Sequence, residues 1–198
     1  MDIGMKMAGL ILVLANTAAA APFPGLLDMT LRDALKTDFF QFFHLEEANR
    51  EQVEKQTVVV YKPSGDAFKK LVTVRVQLSP QGKIAEVRLD MARSFINSRS
   101  QRVYANDMAK SILSDGVSPA DRKALDELVK EILSEKGLDT ILLTGREMPV
   151  PPVQGSPGYL TYLGKRYVHD RSLSACTLHM ENVKDGNEDW LQIQLTLK

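Results

Sequence analysis

The sequence predicts an α+β domain, an antiparallel β-sheet of about six strands with one face covered by three helices. Three observations carry that prediction. Over residues 71–91, Val72, Val74, Val76 and Leu78 alternate with Thr73, Arg75 and Gln77; past Ser79-Pro80-Gln81-Gly82, Ala85, Val87, Leu89 and Met91 alternate with Glu86, Arg88 and Asp90. A period of two on both sides of a turn is a hairpin with one buried and one wet face. Ser118-Pro119-Ala120-Asp121 is a helix start, with serine as cap, proline in the first turn and an acid where the helix dipole favours it. Near the C-terminus, residues 173–181 and 190–197 flank a turn at Asp185-Gly186 and read as a second hairpin.

Taken in order, the chain begins with an export signal. Lys6 ends a short n-region, an apolar run follows from Met7, and Asn16-Thr17 leads into Ala18 to Ala21. Signal peptidase needs small residues at the third-last and last positions before the cut, and Ala18 and Ala20 supply them. Residues 1–20 are therefore expected to be a cleaved signal peptide and residues 21–198 a single domain. The apolar run is about half the ~20 residues that span a bilayer, so no transmembrane anchor is expected after cleavage. A short apolar run with an Ala-rich cut is bacterial in style and implies a periplasmic or secreted location.

Residues 30–54 read as a helix. Thr30 can cap it, Leu31, Leu35, Phe39 and Phe42 share a face, and Glu46/Arg50 and Glu51/Lys55 are set for i,i+4 pairing. Residues 57–61 are β-branched and strand-like, and Lys62-Pro63-Ser64-Gly65 stops them. In the hairpin of residues 71–91, a four-residue turn pairs Val76 with Ala85 and Val74 with Val87, which sets Arg75 opposite Glu86 on the wet face. One helix is expected over about residues 101–113. In the helix after Ser118, Leu125, Leu128, Val129, Ile132 and Leu133 form the apolar stripe and Gly137 stops it. Residues 140–143 are a short strand candidate, and four of the nine prolines place an extended loop at 149–157. Residues 159–163 and 166–168 flank Gly164-Lys165 as further strands. In the last hairpin Cys176, Leu178 and Met180 face Leu191, Ile193 and Leu195, with Thr177, His179, Glu181, Gln192 and Gln194 on the polar side.

Composition excludes more function than it assigns. The 198 residues carry 25 Lys+Arg and 25 Asp+Glu, so the long-range attraction behind non-specific nucleic-acid binding is missing, and no nucleic acid is expected as a partner. A single cysteine cannot form an internal disulfide, so the core alone must hold the domain. Cys176 and His179 are three apart on a strand and point to opposite faces, where they cannot share an ion. His44, His169 and His179 lie in separate elements without metal-site spacing, and His169-Asp170-Arg171 reads as a solvated turn. Gly155-Ser156-Pro157-Gly158 lacks the spacing of a nucleophile elbow, and Gly158 to Gly164-Lys165-Arg166 lacks that of a phosphate loop. No catalytic residue, metal ligand or cofactor is assigned.

Two clusters remain as binding candidates. Phe39, Phe40 and Phe43, with Phe42, hold four of the seven phenylalanines and exceed the width of a single helical stripe, so they are candidates for apolar docking. Arg93, Arg99 and Arg102, among serines at a helix start, are candidates for anion binding. The expectation that follows is an exported, non-catalytic interaction or accessory protein with an envelope protein as partner. A carrier of a small apolar ligand, with its pocket between helix and sheet, is the alternative; an enzyme without a readable motif is the third.

Overall fold

The structure, a computed structural model, describes residues 25–132 and 168–198. The expected export signal, the strand candidates at 140–143 and 159–163, and the expected Pro-rich loop at 149–157 lie outside the described residues. Seven antiparallel strands form one sheet: β1 (Leu45–Val53), β2 (Gln56–Pro63), β3 (Val72–Leu78), β4 (Ile84–Ala92), β5 (Val168–Ser172), β6 (Cys176–Asp185) and β7 (Glu188–Leu197). Their order across the sheet is β1-β2-β3-β4-β7-β6-β5. Among the described residues five helices accompany them: α1 (Leu31–Ala34), α2 (Asp38–Phe42), α3 (Arg93–Asn97), α4 (Arg102–Asp115) and α5 (Pro119–Ile132). α3 packs on β4 and β7, α4 on β4, α2 and α5.

The hydrophobic pattern does what period two requires. Val72, Val74, Val76, Val87, Leu89, Met91, Cys176, Leu178, Met180, Leu191, Ile193 and Leu195 are all buried, and the residues between them on β3, β6 and β7 are wetter. The last hairpin pairs Leu178 with Leu195 and Met180 with Ile193, so the expected faces hold.

The single helix expected over residues 30–54 does not form. Thr30 does cap, its Oγ1 accepting the Asp33 N–H at 3.2 Å, but α1 spans four residues and α2 five. His44, at φ 47°, takes the left-handed conformation that ends α2, and the polar segment after it becomes the edge strand β1. The physical reason lies in β2. Val58-Val59-Val60-Tyr61 would otherwise present an unpaired, apolar sheet edge. Pairing with β1 satisfies that edge from Leu45↔Pro63 to Val53↔Gln56, whereas each helical charge pair is worth only about 0.3–0.5 kcal/mol. Arg50 now reaches Glu47 at 2.7 Å across the bulge between Glu47 and Asn49, not Glu46.

The register of the β3–β4 hairpin also differs. Val76 pairs with Val87, Val74 with Leu89, and Arg75 with Arg88. The turn closes on Ser79 and Lys83, whose backbones bond at 2.7 Å, with Gly82 at φ 75° supplying the left-handed corner. Residues 28–30 hold the start of β4 through Asp28 N–H to Ile84 O (2.8 Å) and Ile84 N–H to Met29 O (2.9 Å). A bulge between Gln77 and Leu78 leaves Ala85 unpaired, and the partners slide by two. A slide of two keeps every side chain on its face but replaces Arg75/Glu86 with two facing arginines.

The predicted start of α5 holds: Ser118 Oγ accepts the Asp121 N–H at 3.2 Å, and Leu125 and Leu128 are buried. Asp121 then ties the helix to the sheet, its carboxylate accepting the N–H of Ser174 (2.6 Å) and of Ala175 (3.2 Å) in the turn between β5 and β6. At the end of α4, Gly116 leaves no room for a side chain, since a Cβ there would lie 2.5 Å from Leu195 Cδ1.

Candidate functional site

Phe39, Phe40 and Phe43 are at most 2% exposed, so the apolar docking expected of them is corrected: they are core side chains, and Phe42 is the ring of that segment left outside. The cause is aromatic packing across four elements. Phe40 meets Tyr61 of β2 edge-on at 5.1 Å, Phe43 meets Tyr104 of α4 at 5.2 Å, and Tyr104 stacks on Phe68 at 5.4 Å. Tyr104 Oη also donates to Phe43 O at 3.2 Å. Each such ring pair adds about 0.5–1.5 kcal/mol beyond area burial, more than a short isolated helix can provide for itself.

Of Arg93, Arg99 and Arg102, Arg93 meets a carboxylate of the chain itself. Arg93 Nη1 lies 3.5 Å from Asp189 Oδ2, and the Ser94 N–H donates to Glu188 Oε1 at 2.8 Å. The acidic start of β7 thus sits beside Arg93 and Ser94. Arg99 is exposed in the turn between α3 and α4, and Arg102 opens α4.

The polar face of the sheet holds a different arrangement. A cleft of about 370 Å³ is lined by Thr73 and Arg75 of β3, Arg88 and Asp90 of β4, Val183 to Asp185 of β6, and Trp190 and Gln192 of β7. Alternation sends these side chains, Lys184 apart, away from the core, and the ladder Thr73↔Asp90↔Gln192 sets three polar groups in one row. Arg75 and Arg88 face each other in the adjoining row. Like charges directly across a ladder repel. The compensation comes from Asp90: Arg88 Nε donates to its Oδ2 at 3.2 Å and lies 3.1 Å from its Oδ1, and Arg75 Nε lies 3.6 Å away. The Asp90 side chain is 8% exposed, against 41% for Arg75 and 28% for Arg88. Burial pushes its carboxyl above the usual aspartate range, outweighing the two guanidiniums that pull it down. Among the described residues, no group takes the terminal nitrogens of either guanidinium.

Two strands away, His179 Nδ1 lies 2.6 Å from Asp170 Oδ1 and its Nε2 3.5 Å from Glu181 Oε2. His169 and Asp170 belong to β5, not to the solvated turn expected of them, because Asp170 pairs with His179 across the ladder. No hydroxyl or thiol among the described residues contacts His179, so the row has carboxylates to orient the imidazole and no nucleophile for it to activate. Cys176 is fully buried on the opposite face, where burial pushes its thiol up to about 11. Among the described residues no group of His, Cys, Asp and Glu is placed to hold a metal ion. None of the described helices is long and apolar enough to cross a membrane.

A second cleft, about 350 Å³, lies beside α1, α2, α4 and α5 and includes Lys36, Asp115 and Arg122. Its basic groups are committed internally: Lys36 Nζ donates to Asp33 at 3.0 Å, and Arg122 Nε to Ser114 O at 2.7 Å. The cleft on the sheet is therefore the stronger site.

Sequence reasoning placed Arg75, Arg88 and Asp90 on the wet face but did not join them. The signal was present in two arginines and an acid at alternate positions of one hairpin, and the expected register concealed it. Comparison with protein-family models, with curated proteins and with solved structures finds no match.

Proposed function

We propose that the chain is an exported, non-catalytic binding or accessory protein that recognises its partner on the polar face of the sheet. α3, α4 and α5 cover the other face and act as the support. The contacts of α3 and α4 with β4 and β7, and the alternate burial along β3, β6 and β7, favour this division of labour. The location rests on Lys6, the apolar run after it and Ala18/Ala20.

One observation carries the reading. Arg75 and Arg88 face each other over a buried carboxylate with their outer nitrogens uncommitted among the described residues, an arrangement that lowers stability locally and is expected where a protein retains it for recognition. Carriage of an apolar ligand between helix and sheet is the weaker reading, since Phe95, Ile96, Met108 and Ile112 fill that space with no exposed surface.

The test compares the tagged chain with its Arg88→Glu variant in capture from bacterial envelope extract, with matched melting curves to establish that both are folded. A partner retained by the parent chain and lost by Arg88→Glu supports the polar face. Equal recovery by both would overturn it.

A further inference from the structure

We propose that the cleft over β3, β4 and β7 binds a small organic carboxylate, its negative end held by the outer nitrogens of Arg75 and Arg88 and its apolar body lying against Trp190 and Val183. This inference rests on the polar face being the recognition surface and adds the chemical class of what it takes.

Four features select that class. The first is charge. Two guanidiniums and one carboxylate leave a single positive charge at the floor, and Lys184 and Asp185 add one charge of each sign to the lining. A monoanion is matched by that balance, whereas a dianion would leave a negative charge uncompensated.

The second is geometry. Each guanidinium turns Nε toward Asp90, at 3.6 Å from Arg75 and 3.1 Å from Arg88, and among the described residues the planar pair of outer nitrogens on each is left for an external acceptor. Two forks side by side match the two oxygens of one carboxylate. Lysines would offer point charges without that planar match.

The third is the wall. Trp190 pairs with Val183 across the last hairpin, so an apolar flank stands beside the charged floor. An inorganic anion would leave it unused; an acyl or aromatic body would cover it. The fourth is size. At about 370 Å³ the cleft is near the lower end for small-molecule sites, so the occupant is small.

Asp90 has a definite part in this site. It already occupies one side of both guanidiniums, and an incoming carboxylate must share them with it. Removing its charge therefore strengthens binding, while removing either arginine weakens it. This opposition separates the proposal from an amine-binding site, where Asp90 would be the anchor and its loss would abolish binding.

The test is a titration of the full chain with sodium benzoate, read by the fluorescence of Trp190, the one tryptophan in the sequence, and by calorimetry. Benzyl alcohol supplies the ring without the charge, and inorganic phosphate an oxyanion without the ring. The expected result is saturable benzoate binding, weakened about tenfold or more by Arg88→Gln and by Arg75→Gln, and tightened several-fold at neutral pH by Asp90→Asn; one charge-assisted hydrogen bond is worth about that much. Arg75 is the more exposed arginine, so its variant keeps the test decisive if Arg88→Gln does not fold. Absence of saturable benzoate binding, equal binding of benzyl alcohol, or tighter binding of phosphate than of benzoate would each overturn the proposal. So would weaker binding by Asp90→Asn. Loss of envelope capture by Arg88→Glu with no benzoate binding would leave the recognition face standing and reject the ligand class.

Discussion

Asp90 and Asp121 are both buried carboxylates, one 6% and the other 3% exposed, yet the protein treats them in opposite ways. Asp121 is held by the N–H groups of Ser174 and Ala175 and by the Ser118 cap, all fixed by the chain's own path. Burial alone would raise its carboxyl, but the hydrogen bonds from Ser174, Ala175 and Ser118 outweigh it and hold the group below the usual aspartate value. Asp90 has two full positive charges beside it, and burial still wins. Short bonds to rigid neutral donors stabilise a buried anion better than longer contacts to half-exposed cations, which remain partly engaged with water. Asp121 is therefore a structural tie between α5 and the β5–β6 turn, and Asp90 a strained group beside a cleft.

The largest expected effect comes from breaking the tie. Asp121→Asn replaces one acceptor oxygen with an amide donor facing a backbone N–H, and should cost about 2–3 kcal/mol in urea unfolding. The pH dependence has a fixed sign. A carboxyl held below its ordinary value contributes stability that is present above that value, 3.8, and is lost as pH falls through its lower, folded-state value. The gap between parent and Asp121→Asn should thus close in acid; a constant gap would mean that the charge of Asp121 is immaterial.

Asp90→Asn should do the reverse on a smaller scale. A carboxyl held above 3.8 favours the folded state below that value and loses the advantage as pH rises through its folded-state value. The variant should match the parent in acid and exceed it by up to about 1 kcal/mol at neutral pH, since a neutral amide still accepts from Arg88 without the cost of a buried charge. A loss above about 2 kcal/mol at neutral pH would show Asp90 to be a tie like Asp121, and the comparison would fail.

The smallest effect calibrates the other two. Glu47 pairs with Arg50 at 2.7 Å on the exposed edge of the sheet, and the guanidinium holds its carboxyl below the ordinary glutamate value. Glu47→Gln should nonetheless change stability by no more than about 0.5 kcal/mol, because water screens the pair. A larger change, measured in the same unfolding assay, would mean that β1 depends on this contact for its position.

These cases locate what was readable in the residues. Ser118 as a cap, α5 after it, and the faces of β3, β4, β6 and β7 follow from rules that span a few positions, because side-chain period and capping are local. β1 was not readable: Glu46, Arg50, Glu51 and Lys55 suit a helix surface as well as an edge strand, and the choice came from the unpaired edge of β2. The cleft was half readable, with its charged residues on the right face and the wrong neighbours, because a bulge at Ala85 and the grip of residues 28–30 on β4 set the register.

By itself the sequence determined the sheet-rich α+β character, the start of α5, and which side chains of the hairpins face the core. Only the tertiary structure decided that residues 45–53 form a strand, that Phe39, Phe40 and Phe43 are interior, that Arg75 meets Arg88, and that one buried aspartate is tied while the other is strained. The division has one physical cause. Periodicity and capping are settled within a turn or a pleat, whereas register, burial and the partners of a charge depend on groups brought together from distant parts of the chain.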